Sequence, residues 1–144
     1  MWRELVSKHD DSISFAAAAS SFEVDQAAES LGVPFPESLR SALLESNGIE
    51  GEYGEGLLWP VSRIVSDNLL FRSNPDFREL YMPFDCLLFF ADAGNGDQFA
   101  FVVLDGEVRR EDIFVWNHEA DSRSWVAPHL EAFYERWLTG EIKV

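Results

Sequence analysis

Apolar residues recur with helical spacing in the segment that follows Ser20. The positions i, i+3, i+4 and i+7 are filled by Val24, Ala27, Ala28 and Leu31, which places one apolar stripe along a helix. Ser20 and Glu23 have the spacing of a capping box, in which the hydroxyl accepts from the N3 amide and the carboxylate reaches back. Gly32 can adopt the left-handed backbone conformation that commonly ends a helix. The pattern therefore predicts a helix between Ser20 and Gly32.

A second helix is predicted directly after this stop. Pro34–Pro36 opens it, with Pro36 near the first turn, where a missing amide proton costs nothing. Its inner face consists of Leu39, Ala42 and Leu43, and Asn47–Gly48 ends it. The apolar periodicity is weaker in the remaining segments of this half. One helical turn is predicted at Trp2–Ser7 and another within Val61–Leu70, and the pattern indicates no particular element in Asn68–Leu80.

The second half of the chain has the pattern of strands. Cys86–Ala91 is a continuous apolar run, typical of a strand buried on both faces, so Cys86 is expected to be a small buried hydrophobe. Gly94–Asp97 predicts a turn, after which Gln98–Leu104 returns as the partner strand. Asp105–Gly106 is a hairpin signal and leads into a third antiparallel strand at Ile113–Trp116.

A helix is predicted at the end of the chain. Ser124 can act as its N-cap, the apolar stripe is Val126, Leu130, Phe133 and Trp137, and Thr139–Gly140 ends it. No strand alternates with a crossover helix as a βαβ unit requires. The sequence therefore predicts an α+β fold with N-terminal helices, a central antiparallel β-meander sheet and a C-terminal helix packed on it. These elements form a single domain covering residues 1–144.

Composition adds a strong negative charge to this picture. The 144 residues include 26 acidic and 11 basic side chains, a formal net charge of −15 that is spread along the whole chain. Eleven scattered cations cannot assemble a basic patch, which argues against binding to nucleic acid or to an anionic membrane surface. Cys86 is the only cysteine, and no signal peptide or membrane-spanning run is found. The expected location is the cytoplasm.

Several motifs together resemble one known superfamily. They are Leu31–Pro36 with Leu39, Leu43 and Asn47–Gly48; Phe89–Asp92 with Gly94, Gly96–Asp97 and Phe99; Val115–Glu119 with Asp121; and Phe133 with Trp137. In order and spacing they resemble the SUKH superfamily (the Smi–Knr type) over about Ser20 to Glu141. The resemblance implies an α+β fold. For the bacterial branch it implies a cytoplasmic immunity protein that binds a cognate toxin domain, often a nuclease, and for eukaryotic relatives a role in cell-wall and growth regulation.

Three motifs invite a chemical interpretation that the residue pattern does not favour. His118, Glu119 and Asp121 could hold a metal ion, but polar residues after a strand simply mark a loop. Cys86 could be a nucleophile with His118 as its base, yet no cation stands beside it in sequence to activate the thiol. Gly94–Asp97 lacks the complete phosphate-binding pattern and the EF-hand spacing. The superfamily is not known for a fixed catalytic centre, so no enzyme activity, cofactor or metal site is expected.

An acidic, glycine-rich segment is the best candidate for a binding surface. Glu50, Glu52 and Glu55 surround Tyr53, a composition that suits recognition of a basic protein by charge and by one aromatic side chain. The full set of candidate partner-binding residues is Glu50, Glu52, Tyr53, Glu55, Asp92, Asp97, Glu119 and Asp121. The predicted function is stoichiometric occlusion of a basic toxin domain. The alternatives are a non-toxin interaction scaffold or regulator and, ranked last, a hydrolase that uses the carboxylates of Asp92, Asp97 and Glu119.

Overall fold

Six helices and seven strands make up the computed structural model, which describes residues 1–144. The helices are α1 (Trp2–Ser7), α2 (Ser21–Leu31), α3 (Glu37–Glu45), α4 (Val61–Ser73), α5 (Pro75–Leu80) and α6 (Leu130–Leu138). The strands are β1 (Ser14–Phe15), β2 (Ile49–Glu50), β3 (Gly56–Leu58), β4 (Leu87–Asp92), β5 (Gln98–Val102), β6 (Ile113–Trp116) and β7 (Arg123–Ala127). No helix is both long enough and apolar enough to span a bilayer.

The N-terminal helices follow the sequence prediction closely. Ser20 Oγ accepts from the amide of Glu23, and the Glu23 carboxylate accepts from the amide of Ser20, each at 3.1 Å. Gly32 ends α2 with φ at +68°, in the left-handed region that glycine enters without steric cost. The predicted stripe of α2 is buried apart from the half-buried Ala28, and Pro36 directly precedes α3. The predicted turn at Trp2–Ser7 is α1.

Two antiparallel sheets follow each other along the chain. The first has the order β1-β2-β3 and the second is a meander with the order β4-β5-β6-β7. The predicted three-stranded meander is confirmed and gains β7 as a fourth strand. The first sheet was not predicted, because its strands are two or three residues long and only Leu57–Trp59 stands out as apolar.

Each face of the larger sheet is covered by a different part of the chain. On one face Phe133 of α6 contacts Phe90 and Phe99, with ring centroids 5.7 and 4.6 Å apart. On the other face Phe71 of α4 meets Phe89 and Trp116 edge to face, at 5.2 and 5.5 Å. Buried aromatic rings favour such offset and edge-to-face contacts. The C-terminal helix therefore packs on the sheet as predicted.

The beginning of the last helix is a correction to the sequence prediction. Ser124 is not an N-cap, because Arg123–Ala127 pairs with β6 as strand β7. Helix α6 begins at Leu130, and the ring of His129 caps it by accepting from the amide of Ala132 at 3.1 Å. Pro128 explains the difference, since the residue before a proline is held in extended conformation. A helix capped at Ser124 could not continue through Ala127.

The segment between the sheets is helical over a greater length than the sequence indicated. Helix α4 runs from Val61 to Ser73, and α5 follows at once with Asn74 as its N-cap. The helical pattern of α4 is weak because a polar residue, Asn68, occupies its buried face.

A second correction concerns Cys86, which was expected to be buried. The strand begins one residue later, at Leu87, and leaves the thiol exposed.

Candidate partner-binding surface

The candidate residues lie along one edge of the molecule, where loops of both sheets meet. The loop between β2 and β3 touches the turn between β4 and β5, and a side chain placed on Gly94 would come within 3.3 Å of Glu55 Cβ. The same turn touches the loop between β6 and β7 through Gly96 and the ring of His118. We call this edge the acidic rim and define it by Glu50, Glu52, Tyr53, Glu55, Asp92, Asp97, Glu119 and Asp121.

Tyr53 stands at the tip of the β2–β3 loop, and 88% of the residue's surface is exposed. The amide of Gly51 donates to Glu55 O at 2.9 Å and closes the loop. The carboxylate of Glu55 accepts from the amide of Tyr53 at 3.1 Å. The loop therefore has its own hydrogen bonds while it presents Tyr53 and the exposed Glu52 to solvent.

Asp92 fixes the position of this loop on the larger sheet. Its carboxylate accepts from Trp59 Nε1 at 2.7 Å, from the amide of Gly56 at 3.2 Å and from the amide of Gly94 at 2.9 Å. Arg63 adds an ion pair at 3.4 Å. Nearly all the acceptor capacity of this carboxylate is thus used within the chain. Asp92 holds the two loops together.

Asp97 connects the β4–β5 turn to the β6–β7 loop. It is buried, with 3% of its surface exposed, and it accepts from the backbone amide of His118 at 3.1 Å. Its carboxylate also lies 2.6 Å from His118 Nδ1. The imidazole lies over Gly96, where an added Cβ would come within 2.9 Å of the ring. Nε2 of the same ring lies 3.9 Å from the exposed Glu119 carboxylate.

Asp121 fixes the far end of the rim. It accepts from the amide of Met82 at 2.8 Å, from Trp116 Nε1 at 2.8 Å and from Arg123 Nη2 at 3.2 Å. Partial burial by itself raises the pKa of a carboxyl group, but these three donors outweigh it, so the pKa of Asp121 lies below its usual range. The ionised form of Asp121 is therefore part of the folded structure.

The family of the protein follows from its sequence match. Residues 21–134 match the sequence profile of the SMI1-KNR4 cell-wall family, within the SUKH superfamily. The chain belongs to this family. Its members are generally non-enzymatic immunity or interaction proteins. No curated protein shows significant similarity to the chain.

In this SUKH-family chain the rim consists of two kinds of residue. Asp92, Asp97 and Asp121 are occupied by hydrogen bonds that hold the loops. The residues that face solvent are Glu50, Glu52, Tyr53 and Glu119, with Glu55 half-buried between them. The sequence analysis could not separate the two kinds. The acids that hold the loops and the acids that face solvent both lie in polar segments next to predicted strands and turns.

Sequence reasoning missed Arg63, which contacts the rim through its ion pair with Asp92. Its guanidinium lies over the ring of Trp59, 4.1 Å from the centroid, and pairs with Asp67 and Asp92. Together with Tyr53 and Glu55 it lines a cleft of about 330 Å³. The i, i+4 spacing of Arg63 and Asp67 on a helix was the one available signal, and it says nothing about Trp59 or Asp92.

The cysteine and histidine considered as a nucleophile and its base are not joined in the structure. His118 bonds Asp97, whereas the Cys86 thiol contacts Arg123 Nη1 at 3.4 Å and Pro83 O at 3.8 Å, so no hydrogen bond joins the cysteine to the histidine. A cation does stand beside Cys86, brought there by the fold from 37 positions away. No three His, Cys, Asp or Glu side chains are grouped to hold a metal ion.

Proposed function

We propose that this SUKH-family chain is an immunity protein that binds a cognate bacterial toxin domain and neutralises it by covering its basic, substrate-binding cleft. The observation that carries the proposal is the exposed Tyr53, surrounded by acidic side chains on a loop held in place by Asp92. Family membership supports a protein partner. The net charge of −15 supports a basic one. In this proposal residues 1–144 act as one binding domain in the cytoplasm of the producing cell.

Charge and aromatic area have separate roles in this mechanism. Glu50, Glu52 and Glu119 add to the field that attracts a basic cleft, and such complementary fields raise association rates by about 10- to 1,000-fold. A row of carboxylates also imitates the phosphate backbone of a nuclease substrate. Tyr53 supplies buried area at the centre of the contact, where a tyrosine is a frequent source of binding energy.

The structural acids favour tight binding because they prepare the surface in advance. Asp92 and Asp97 hold the β2–β3 loop, the β4–β5 turn and the β6–β7 loop against one another. A surface that is already ordered loses less conformational entropy when the partner binds. Asp92, Asp97 and Asp121 thus contribute to binding by positioning the rim.

The proposal is tested by identifying the partner and measuring inhibition. Tagged protein is used to capture partners from a lysate of the source organism, with elution by rising salt and identification by mass spectrometry. The captured toxin domain is then purified, and its activity is titrated with this chain. Complete inhibition at a 1:1 ratio, relieved at high salt, supports the proposal. A captured basic toxin domain that remains fully active in the complex contradicts it.

A second candidate is a regulator of the cell-wall or growth type, which the description of the matched family favours. Such a regulator would bind its partner through apolar contacts more than through charge. Affinity that stays constant from low to high ionic strength would identify this case, because screening weakens exposed ion pairs and leaves apolar contacts in place.

A further inference from the structure

A second cleft, distinct from the one beside Tyr53, lies across the first sheet where α4 begins. It is lined by residues of all three strands and has a volume of about 330 Å³, at the lower end of the range for small-ligand pockets. The cleft adjoins the acidic rim, because Glu50 belongs to both. We call it the Phe15 cleft and define it by Ser14, Phe15, Ala16, Glu50, Pro60 and Arg63.

The Phe15 cleft has an apolar interior that is fixed by the core. Phe15 and Pro60 are half-buried in its walls, and Ala16 is exposed beside them. Leu58 and Trp59 close the floor and are almost fully buried. The shape of the cleft is therefore set before a partner binds, and a ligand that enters it orders few protein side chains.

Glu50 is the charged residue of the cleft that has no ionic partner. Its side chain is exposed, and it belongs to none of the ion pairs of the chain. Arg63, by contrast, pairs with Asp67 at 3.1 Å and with Asp92 at 3.4 Å, so its charge is balanced within the chain. The cleft thus combines an apolar surface with one unpaired carboxylate.

An arginine side chain has the chemistry that fits this combination. Its methylene stem is apolar, whereas its guanidinium is charged and can bind both oxygens of a carboxylate. The guanidinium is also more weakly hydrated than a lysine ammonium, so it loses less hydration on entering an apolar cleft. A purely aliphatic side chain would cover the carboxylate of Glu50 without pairing it, which costs free energy.

We propose that the Phe15 cleft receives an arginine side chain of the toxin domain, with the methylene stem against Phe15 and Pro60 and the guanidinium paired with Glu50. This inference rests on the proposed function, because it names a residue of the partner that the acidic rim binds. Tyr53 is three positions from Glu50, so one partner covers the rim and enters the cleft in the same complex. The field of the rim attracts any basic protein. The cleft selects among them by the fit of one anchor residue.

An NMR titration of the isotopically labelled full chain with N-acetylarginine amide tests the cleft without the toxin. The amide signals of Phe15, Gly48 and Glu50 are expected to shift as the probe binds. Glu50→Gln is expected to raise the dissociation constant of the probe about fivefold, as for the loss of one exposed ion pair. N-acetyllysine amide is expected to bind more weakly. A titration without shifts at the cleft overturns the proposal, as does equal binding of the two probes.

Two alanine substitutions test whether the toxin uses the cleft. Ala16→Phe fills the cleft, because Ala16 lines it and is exposed. Ala18→Phe is the matched control, since Ala18 is exposed on the same segment but does not line the cleft. Ala16→Phe is expected to raise the dissociation constants of the arginine probe and of the toxin about tenfold or more, and Ala18→Phe is expected to change neither. Circular dichroism establishes that both variants fold, and equal effects of the two overturn the proposal.

The same variants separate this inference from the proposed function. If the toxin is inhibited by the wild-type chain and Ala16→Phe leaves its affinity unchanged, the assignment to the cleft is wrong and the proposed function stands. If the captured toxin stays active in the complex, the proposed function fails and the assignment to a toxin residue fails with it. The probe titration still shows in that case whether the cleft binds arginine.

Discussion

The side-chain amide of Asn68 pairs with both backbone polar groups of Phe89. Nδ2 donates to Phe89 O and Oδ1 accepts from Phe89 N, each at 2.9 Å. Asn68 belongs to α4 and is almost fully buried, and Phe89 lies on β4, the outer strand of the larger sheet. One side chain thus satisfies the backbone groups that a neighbouring strand would otherwise bind. The helix and the sheet are joined by this contact.

Replacing Asn68 with alanine is expected to destabilise the fold by about 2–4 kcal/mol. The amide and carbonyl of Phe89 would be left buried without a partner, and each such group costs about 1–3 kcal/mol. Urea unfolding followed by circular dichroism measures the change. Asn74→Ala is the matched control, since Asn74 caps the short helix α5 near the surface, and loss of a cap costs about 1 kcal/mol. Equal losses for the two variants would contradict the role assigned to Asn68.

Gly96→Ala is expected to displace the ring of His118. The new Cβ would lie 2.9 Å from the imidazole, so the contact with Asp97 must loosen. Gly106→Ala separates this effect from backbone strain, because Gly106 also has a positive φ but its added Cβ meets nothing within 4 Å. In both variants an alanine must adopt a positive φ, which costs about 1–3 kcal/mol. Gly96→Ala should cost more than Gly106→Ala and should shift the imidazole NMR signals. Equal stability and unchanged signals would show that the ring contact is unimportant.

Acid should weaken the fold through Asp121. Its pKa is lower in the folded chain than in the unfolded chain, so its ionised form contributes stability that is fully present above the unfolded pKa of about 4. This contribution is lost as the pH falls through the lowered, folded pKa. The free energy of unfolding of Asp121→Asn should therefore be lower than that of the wild type at neutral pH. It should also fall less than that of the wild type as the pH is lowered. The measurement is urea unfolding between neutral pH and pH values below 4, with Asp11→Asn at an exposed position as the comparison. If the free energies of unfolding of wild type and Asp121→Asn change with pH in parallel, the ionisation of Asp121 does not contribute to the acid dependence.

Charge reversal on the acidic rim should slow toxin binding. With Glu50, Glu52 and Glu55 all changed to Lys, the association rate with a basic toxin domain is expected to fall about tenfold or more at low salt. Stopped-flow mixing measures the rate. The matched control reverses Glu29, Glu79 and Glu141, which are exposed on other parts of the chain and change the net charge equally. Equal slowing by both variants would show that only the net charge matters, and no slowing by the rim variant would place the interface elsewhere.

Truncation of Tyr53 should act on the lifetime of the complex. Tyr53→Ala removes the exposed ring and no hydrogen bond of the side chain, so the fold should be unchanged. The dissociation rate is expected to rise about 30-fold, as for a hot-spot residue worth about 2 kcal/mol. Surface plasmon resonance measures the dissociation rate, and Tyr53→Phe should restore the wild-type value. An unchanged rate for Tyr53→Ala would remove Tyr53 from the contact.

Local signals explain which elements could be predicted. The capping box of Ser20 and Glu23, the stop at Gly32 and the run that became β4 act within a few residues, and each was found in the structure. Ser124 was assigned wrongly because the same residues suit a helix cap and a strand, and pairing with β6 decided between them. Helix α4 was underestimated because its buried face includes Asn68, whose partner Phe89 is distant in sequence.

The sequence by itself determined the fold class, the family and the set of acids and turns that form one edge of the molecule. Only the tertiary structure decided which of those acids are free to meet a partner. Asp97 and Glu119 look alike in sequence, yet one is buried against His118 and the other is open to solvent. The physical reason is that periodicity and capping depend on neighbouring residues. Burial and hydrogen bonding depend on groups that meet only when the chain has folded.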